Sequence, residues 1–159
     1  MNCKFKFFDS SLFRCVDNNN IKISKYKEDK KILKRVRWIS RQRLQSNLLK
    51  SNCEITSQPD WATIYIDIIP DKYGIDEKSL LKYIISLRDH NEFHEPTCER
   101  IITNLENLLS PKAIMVYCKY TRRGGLDINP LRYYDPNGLF RDRDLFLEGR
   151  MEFEREIRQ

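Results

Sequence analysis

Four groups of residues in this chain have the types and spacing that chemistry needs. Cys53 follows Lys50-Ser51-Asn52 and precedes Gln58-Pro59-Asp60-Trp61. A thiol among polar residues with a cation near it in sequence is placed to lose its proton, and the thiolate is the nucleophile. The plainer reading is an inert, half-buried cysteine. Asp60 stands seven residues on, between Pro59 and Trp61. A carboxyl group against an indole ring is desolvated, holds its proton to higher pH and can act as an acid near neutrality. An aspartate after a proline is also an ordinary turn residue. His94-Glu95, just before Pro96, offers a fixed carboxylate. Such a group accepts two parallel N–H bonds from an amidine-like edge, such as N1–H and the 2-amino group of a guanine-like base. The same pair suits the positive end of a helix. Arg122-Arg123-Gly124-Gly125 joins two cations to a backbone that can approach a phosphate closely; it equally fits a glycine bend between strands. It is neither a Walker loop nor a G-x-G-x-x-G fingerprint. The two histidines, His90 and His94, make no H-E-x-x-H motif, and no clustered Cys/His set exists, so no metal is expected.

The elements that must position these groups are legible in outline. Ile64, Ile66 and Ile68 alternate with Thr63, Tyr65 and Asp67, which predicts a half-buried strand from Ala62 to Pro70. Asp76 can cap a helix with Glu77 in its first turn and Ile75 and Leu80 as a hydrophobic staple. Leu80, Leu81, Ile84 and Ile85 give it an apolar face. After a break at Asp89-His90-Asn91-Glu92, Pro96 fits the first turn of a second helix whose face is Ile101, Ile102, Leu105, Leu108 and Leu109. Ser110-Pro111 ends it, Lys112 to Thr121 reads as a second strand, and Leu126 to Asn129 as a short third one. The order strand, helix, helix, strand, strand predicts an α+β fold with both helices on one face of an antiparallel sheet. Lys27 to Leu49, free of Gly and Pro and rich in Lys, Arg, Gln and Leu, reads as a helix. The tail from Leu139 to Gln159 reads as a charged terminal helix with Leu145, Phe146, Met151 and Phe153 on its apolar side.

The chain has 159 residues, 40% hydrophobic and 33% charged, which suits one soluble domain. No apolar run approaches the roughly 20 residues needed to span a bilayer, and the N-terminus lacks the apolar core of a secretory signal. Five cysteines without a C-x-x-C pair point to reduced cytoplasmic thiols. The net charge of +6 is uneven: residues 1–50 carry +10 and residues 51–159 carry −4. The basic block from Lys22 to Arg43 could draw nucleic acid; charge runs are more often solvated faces, and nucleic acid is not the expected partner.

Taken together, the motifs are more specific than any one of them. The stretches Leu48-Leu49-Lys50-Ser51-Asn52-Cys53, Gln58-Pro59-Asp60-Trp61, Ser86-Leu87-Arg88-Asp89-His90-Asn91-Glu92-Phe93-His94-Glu95 and Tyr120-Thr121-Arg122-Arg123-Gly124-Gly125-Leu126-Asp127-Ile128-Asn129-Pro130 resemble the NADPH-dependent 7-cyano-7-deazaguanine reductases. These are the nitrile reductases of queuosine synthesis. The resemblance is to the C-terminal catalytic half of the long, two-module form, over about residues 46–132.

The resemblance implies a tunnelling fold, in which antiparallel-sheet modules with helices on one side assemble into a barrel with active sites between modules. It implies reduction of the nitrile 7-cyano-7-deazaguanine to an aminomethyl group with two NADPH, in tRNA modification. Cys53 matches the nucleophile that forms a thioimide, Asp60 the proton donor, His94 and Glu95 the pair that holds the substrate base, and Arg123 and Gly124 positions that touch NADPH. The family's Glu-Ser-Lys-Ser NADPH motif belongs to the other module; Asp76-Glu77-Lys78-Ser79 matches it only in part. The chain thus divides into a basic extension (1–46), a catalytic module (47–132) and a charged tail (133–159). The expected partners are the small-molecule substrate and either further copies of this chain or a separate N-terminal-module chain, with no membrane. A non-catalytic scaffold module and an amidinotransferase using the same thioimide chemistry are the competing readings.

Overall fold

A computed structural model describes Arg14–Cys15 and residues 27–140. Its frame is one sheet built around a long hairpin. β3 (Gln42–Asn52) and β4 (Pro59–Ile69) pair antiparallel, from Gln42 opposite Ile68 to Asn52 opposite Pro59. β6 (Ala113–Tyr120) pairs antiparallel with β4, and β7 (Leu131–Tyr134) with β6. β1 (Arg14–Cys15) adds a short parallel edge beside β3, giving the order β1-β3-β4-β6-β7. A separate ribbon joins β2 (Arg35–Arg37) to β5 (Tyr73–Ile75).

The chain passes from β4 to its neighbour β6 through both helices, α1 (Glu77–Ser86) and α2 (His94–Leu109). Asp76 caps α1, its carboxylate accepting the Ser79 N–H at 2.8 Å, and Ile75 and Leu80 share one core cluster as a staple requires. Ser110 ends α2 in the left-handed region, with Pro111 next, a stop that removes any continuation of the helix. Alternation along β4 decides what packs where. Ala62, Ile64, Ile66 and Ile68 join Leu80, Ile84, Ile101 and Leu105 in the main core. Each fully buried Ile contributes about 1.5–3 kcal/mol, so this face anchors β4 and, with it, Asp60 at its start. The other face of β4 carries Thr63, Tyr65 and Asp67, also buried.

The expected α+β arrangement with two helices on one sheet face is found, and three details differ. Lys27 to Leu49 is not a helix. Lys30–Ile32 makes one 3₁₀ turn, Leu33 enters the core, and Arg35–Arg37 and the residues from Gln42 on form β2 and β3. Tertiary pairing overrides the helical propensity of Lys, Arg, Gln and Leu here. β3 supplies the hydrogen-bonding edge of β4, and Arg41 and Arg43 reach the buried carboxylate of Asp67 at 2.7 and 3.2 Å. The boundary drawn after residue 46 falls inside β3, and the one after 132 inside β7. The short third strand lies one step later than expected: Arg123 and Leu126 close a turn, and the strand is Leu131–Tyr134, after Pro130. The expected terminal helix falls almost wholly on residues 141–159, outside the described residues.

Candidate active site

The β3–β4 hairpin brings Cys53 and Asp60 together. Cys53 is the first residue after β3, and Asp60 is the second residue of β4, opposite Ser51. The connecting loop is tied at both ends: the Cys53 N–H donates to the Gln58 carbonyl and the Ser57 N–H to the Cys53 carbonyl, each at 2.9 Å. Ser57 turns the chain with φ +56°, in the left-handed region. Cys53 is 4% exposed, although residues 54–59 above it are all exposed. Its thiol is lowered to about 7. The main cause is a hydrogen bond from the Thr56 hydroxyl, followed by the Thr56 N–H; burial opposes, and the Ile55 N–H and Arg123 add smaller contributions. A substantial thiolate fraction at neutral pH follows.

Asp60 is buried, with Arg123 and His94 as its partners. Arg123 reaches it from the turn beyond β6, Nε donating to Oδ1, while the same guanidinium bonds the Gln58 carbonyl at 3.4 Å. Burial works against the charge of Arg123, but Asp60 and Cys53 more than offset it, so the guanidinium is held more firmly protonated. His94, the first residue of α2, places Nε2 3.3 Å from Asp60 Oδ2. Its ring lies flat on Tyr120, centroids 3.8 Å apart and planes within 2°. Its buried Nδ1 has no hydrogen-bond partner among the described residues.

The loop entering α2 is stitched to the end of β3. Asn52 N–H donates to the His90 carbonyl at 2.8 Å, and Glu92 N–H to the Asn52 carbonyl at 3.0 Å. Glu92 takes two bonds from Arg100, at 2.7 and 3.1 Å, and contacts His90 Nε2 at 3.0 Å and the Thr97 hydroxyl at 3.3 Å. Burial raises the Glu92 carboxyl, but Arg100 outweighs it and His90 assists, so it sits below its ordinary range.

Four of the six residues singled out in the sequence, Cys53, Asp60, His94 and Arg123, therefore converge. Glu95 stands exposed in the first turn of α2, next to His94, and Gly124 in the exposed turn next to Arg123. The reasons differ from those expected for two of them. Trp61 is not what encloses Asp60: successive residues of a strand take opposite faces, and the Arg88 guanidinium lies 5.9 Å from the Trp61 ring. Lys50 is not the cation of Cys53, since its Nζ donates to the Arg88 carbonyl at 2.6 Å; Arg123 takes that part. Thr56, Tyr120 and Glu92 were not anticipated as contributors. A Thr three residues after Cys in a short loop was the one available signal.

Arg123 to Leu126 is a two-residue hairpin turn. The Arg123 and Leu126 N–H groups donate to each other's carbonyls at 3.0 and 2.7 Å, with Gly124 at φ +53° and Gly125 at φ +84°. Two positive φ values in succession are what glycine permits cheaply. A Cβ at either position would meet nothing within 4 Å, so this backbone is open to a ligand.

Residues 59–137 match the family model described as QueF-like protein. The chain carries a QueF-like domain. Over 120 residues it is 49% identical to the NADPH-dependent 7-cyano-7-deazaguanine reductase of Buchnera aphidicola subsp. Schizaphis graminum (strain Sg), an alignment covering 74% of this chain and 45% of that protein. The chain thus spans under half the length of this relative. A crystal structure of the archaeosine synthase QueF-Like in the apo form is similar to this chain with TM-score 0.51 and 18% identity, covering 64% of this chain and 91% of the other. At that identity the likeness speaks for the fold, a tunnelling-fold module.

Proposed function

We propose that this chain is the catalytic module of an NADPH-dependent 7-cyano-7-deazaguanine reductase, reducing the nitrile to 7-aminomethyl-7-deazaguanine for tRNA queuosine. One observation carries the reading: the β3–β4 hairpin sets Cys53 beside Asp60, and the guanidinium that pairs with the Asp60 carboxylate, Arg123, also bonds the Gln58 carbonyl that closes the Cys53 loop. Nucleophile and acid therefore stand side by side. A nitrile carbon is a weak electrophile and needs its nitrogen protonated as the sulfur adds. The Cys53 thiolate forms the S–C bond, one π pair moves to nitrogen, and Asp60 gives that nitrogen a proton, leaving a thioimide. His94, 3.3 Å from Asp60, and Arg123 hold the Asp60 carboxyl group in place. Glu95 accepts the N1–H and 2-amino donors of the base, and the unpartnered Nδ1 of His94 is the further polar atom facing a ligand.

The open Gly124–Gly125 backbone above Arg123 fits a phosphate-bearing cofactor, and Arg123 and Gly124 would hold NADPH there. Two NADPH would supply the two hydrides that take the carbon from nitrile to aminomethyl level, the S–C bond breaking between them so that Cys53 leaves as the thiolate. The protein's part is alignment of donor, carbon and acid. The reading also makes the chain a cytoplasmic protein that works with further copies of itself or with a second, N-terminal-module chain. The test is NADPH absorbance on addition of the nitrile to the assembled protein. Consumption of two NADPH per nitrile, lost in Asp60→Ala, supports it. Transfer of ammonia to the nitrile without NADPH would favour the amidinotransferase instead, and no reaction at all a scaffold.

A further inference from the structure

Cys53 and the His94–Glu95 pair lie on different elements, so something must fix the distance between them. The first turn of α2 does not do it by capping. Phe93 is the N-cap residue and makes no side-chain capping bond, where a Ser, Thr, Asp or Asn would supply an oxygen. The chain just before the helix is held instead from two directions. On one side, residues 90–92 lie along the end of β3 as a short parallel bridge. Asn52 N–H donates to the His90 carbonyl at 2.8 Å, Glu92 N–H to the Asn52 carbonyl at 3.0 Å, and the Asn52 amide nitrogen to Asn91 Oδ1 at 3.2 Å. Asn52 immediately precedes Cys53. On the other side, the Glu92 carboxylate reaches along α2. Arg100, 8 positions on, donates to it through a nitrogen on each prong, at 2.7 and 3.1 Å. The Thr97 hydroxyl stands 3.3 Å from Glu92 Oε2 and 2.9 Å from the Phe93 carbonyl. Glu92 thus holds the end of β3 with its backbone and α2 with its side chain.

We propose that Glu92 is a positioning residue that sets the spacing between Cys53 and the His94–Glu95 pair through its forked bond to Arg100. A two-pronged guanidinium–carboxylate pair fixes direction as well as distance. The His94 ring has further support from its stack on Tyr120. Glu95 is exposed, and its direction follows the start of the helix. A misplacement of about 1 Å is enough to slow a reaction between aligned groups about 100-fold. This role rests on the reading of Cys53 as nucleophile and of His94 and Glu95 as the residues that hold the base.

The test compares two reactions of Cys53 in the full chain, both followed by mass. Alkylation by iodoacetamide needs the thiol alone. Adduct formation with 7-cyano-7-deazaguanine needs the base held in line with the sulfur. The variants are Glu92→Gln, which turns one prong into a donor facing a donor, Arg100→Gln, and the two combined. Each single variant should slow adduct formation about tenfold or more and leave alkylation unchanged. The double variant should lose no more than either single one, because the two residues act as a unit. Circular dichroism identifies any variant that fails to fold. Arg100→Lys, which keeps the cation without the fork, then carries the comparison and should show the same selective loss. Unchanged adduct formation in the folded variants overturns the proposal, as do additive losses in the double variant or alkylation that falls as far as adduct formation. No adduct on the unaltered chain would instead overturn the reductase reading, and this role with it. An adduct there with unchanged rates in the variants overturns the role of Glu92 alone.

Discussion

Arg123 sets the electrostatics of the site residue by residue. It is the counter-ion of Asp60 and adds a smaller contribution, after Thr56 and Ile55, to the lowering of the Cys53 thiol. His94 is fixed differently, by a flat stack on Tyr120 that leaves Nε2 to Asp60 and Nδ1 facing away from any protein partner described. Glu95 is exposed and next to it. Replacing Glu95 by Gln puts a donor where the base presents donors, and should weaken substrate binding by about 1.5–3 kcal/mol. Calorimetric titration checks this. Unchanged affinity with a slight loss of stability would mean that Glu95 serves only the helix terminus. At this scale the sequence was informative about residue types and misleading about neighbours. Cys53, Asp60, His94 and Arg123 stood out by type and spacing, whereas the contacts of Asp60 come from residues 34 and 63 positions away. Adjacency in sequence pointed to Trp61 and Lys50, which a strand's alternation and a long side chain carry elsewhere.

Two features of the elements place those residues. The first is a bulge in β3. Ser46 faces Ile64 and Leu49 faces Ala62, so Asn47 and Leu48 together oppose Thr63. The extra residue reverses which residues of β3 face the helices. Leu44 before it and Leu49 after it both join the main core, and Ser51 lands opposite Asp60. A regular strand would send Leu49 and Ser51 to the other face. Sequence patterning hides this, because a strand whose alternation changes phase midway, with Lys, Gln and Asn in it, reads as helix. β4, α1 and α2 were legible because their apolar periods are unbroken and their caps local. The second feature is the Glu92–Arg100 clamp on the start of α2. Its carboxyl is below the ordinary value in the folded chain, so its stabilisation is fully present above the unfolded value of about 4.5 and is lost as pH falls through the folded value. Glu92→Gln should therefore lower stability at pH 7 and flatten its dependence below pH 4.5. Denaturant midpoints measured from pH 7 down to pH 3 check this. Parallel curves for the two proteins would show that the clamp contributes nothing.

On the scale of the whole molecule, the sheet ends on β7, where Tyr133 and Tyr134 are exposed. Cys53, Asp60 and Arg123 stand at the opposite end of the β3–β4–β6 strands from Ile68 and Ile69. Ile55, Phe93 and Leu126 are exposed in the loops that bear or flank the site residues. An apolar rim around a polar site is what a neighbouring module would cover. Light scattering should find the purified chain larger than a monomer. A monodisperse monomer with normal NADPH-dependent turnover would contradict the shared site. The most direct measurement of the central claim is intact mass after incubation with 7-cyano-7-deazaguanine in the absence of NADPH. The account predicts a gain of one whole substrate molecule per chain, absent in Cys53→Ala and retained when Cys3, Cys15, Cys98 or Cys118 is replaced. An adduct that survives in Cys53→Ala, or none on the unaltered chain, would contradict it.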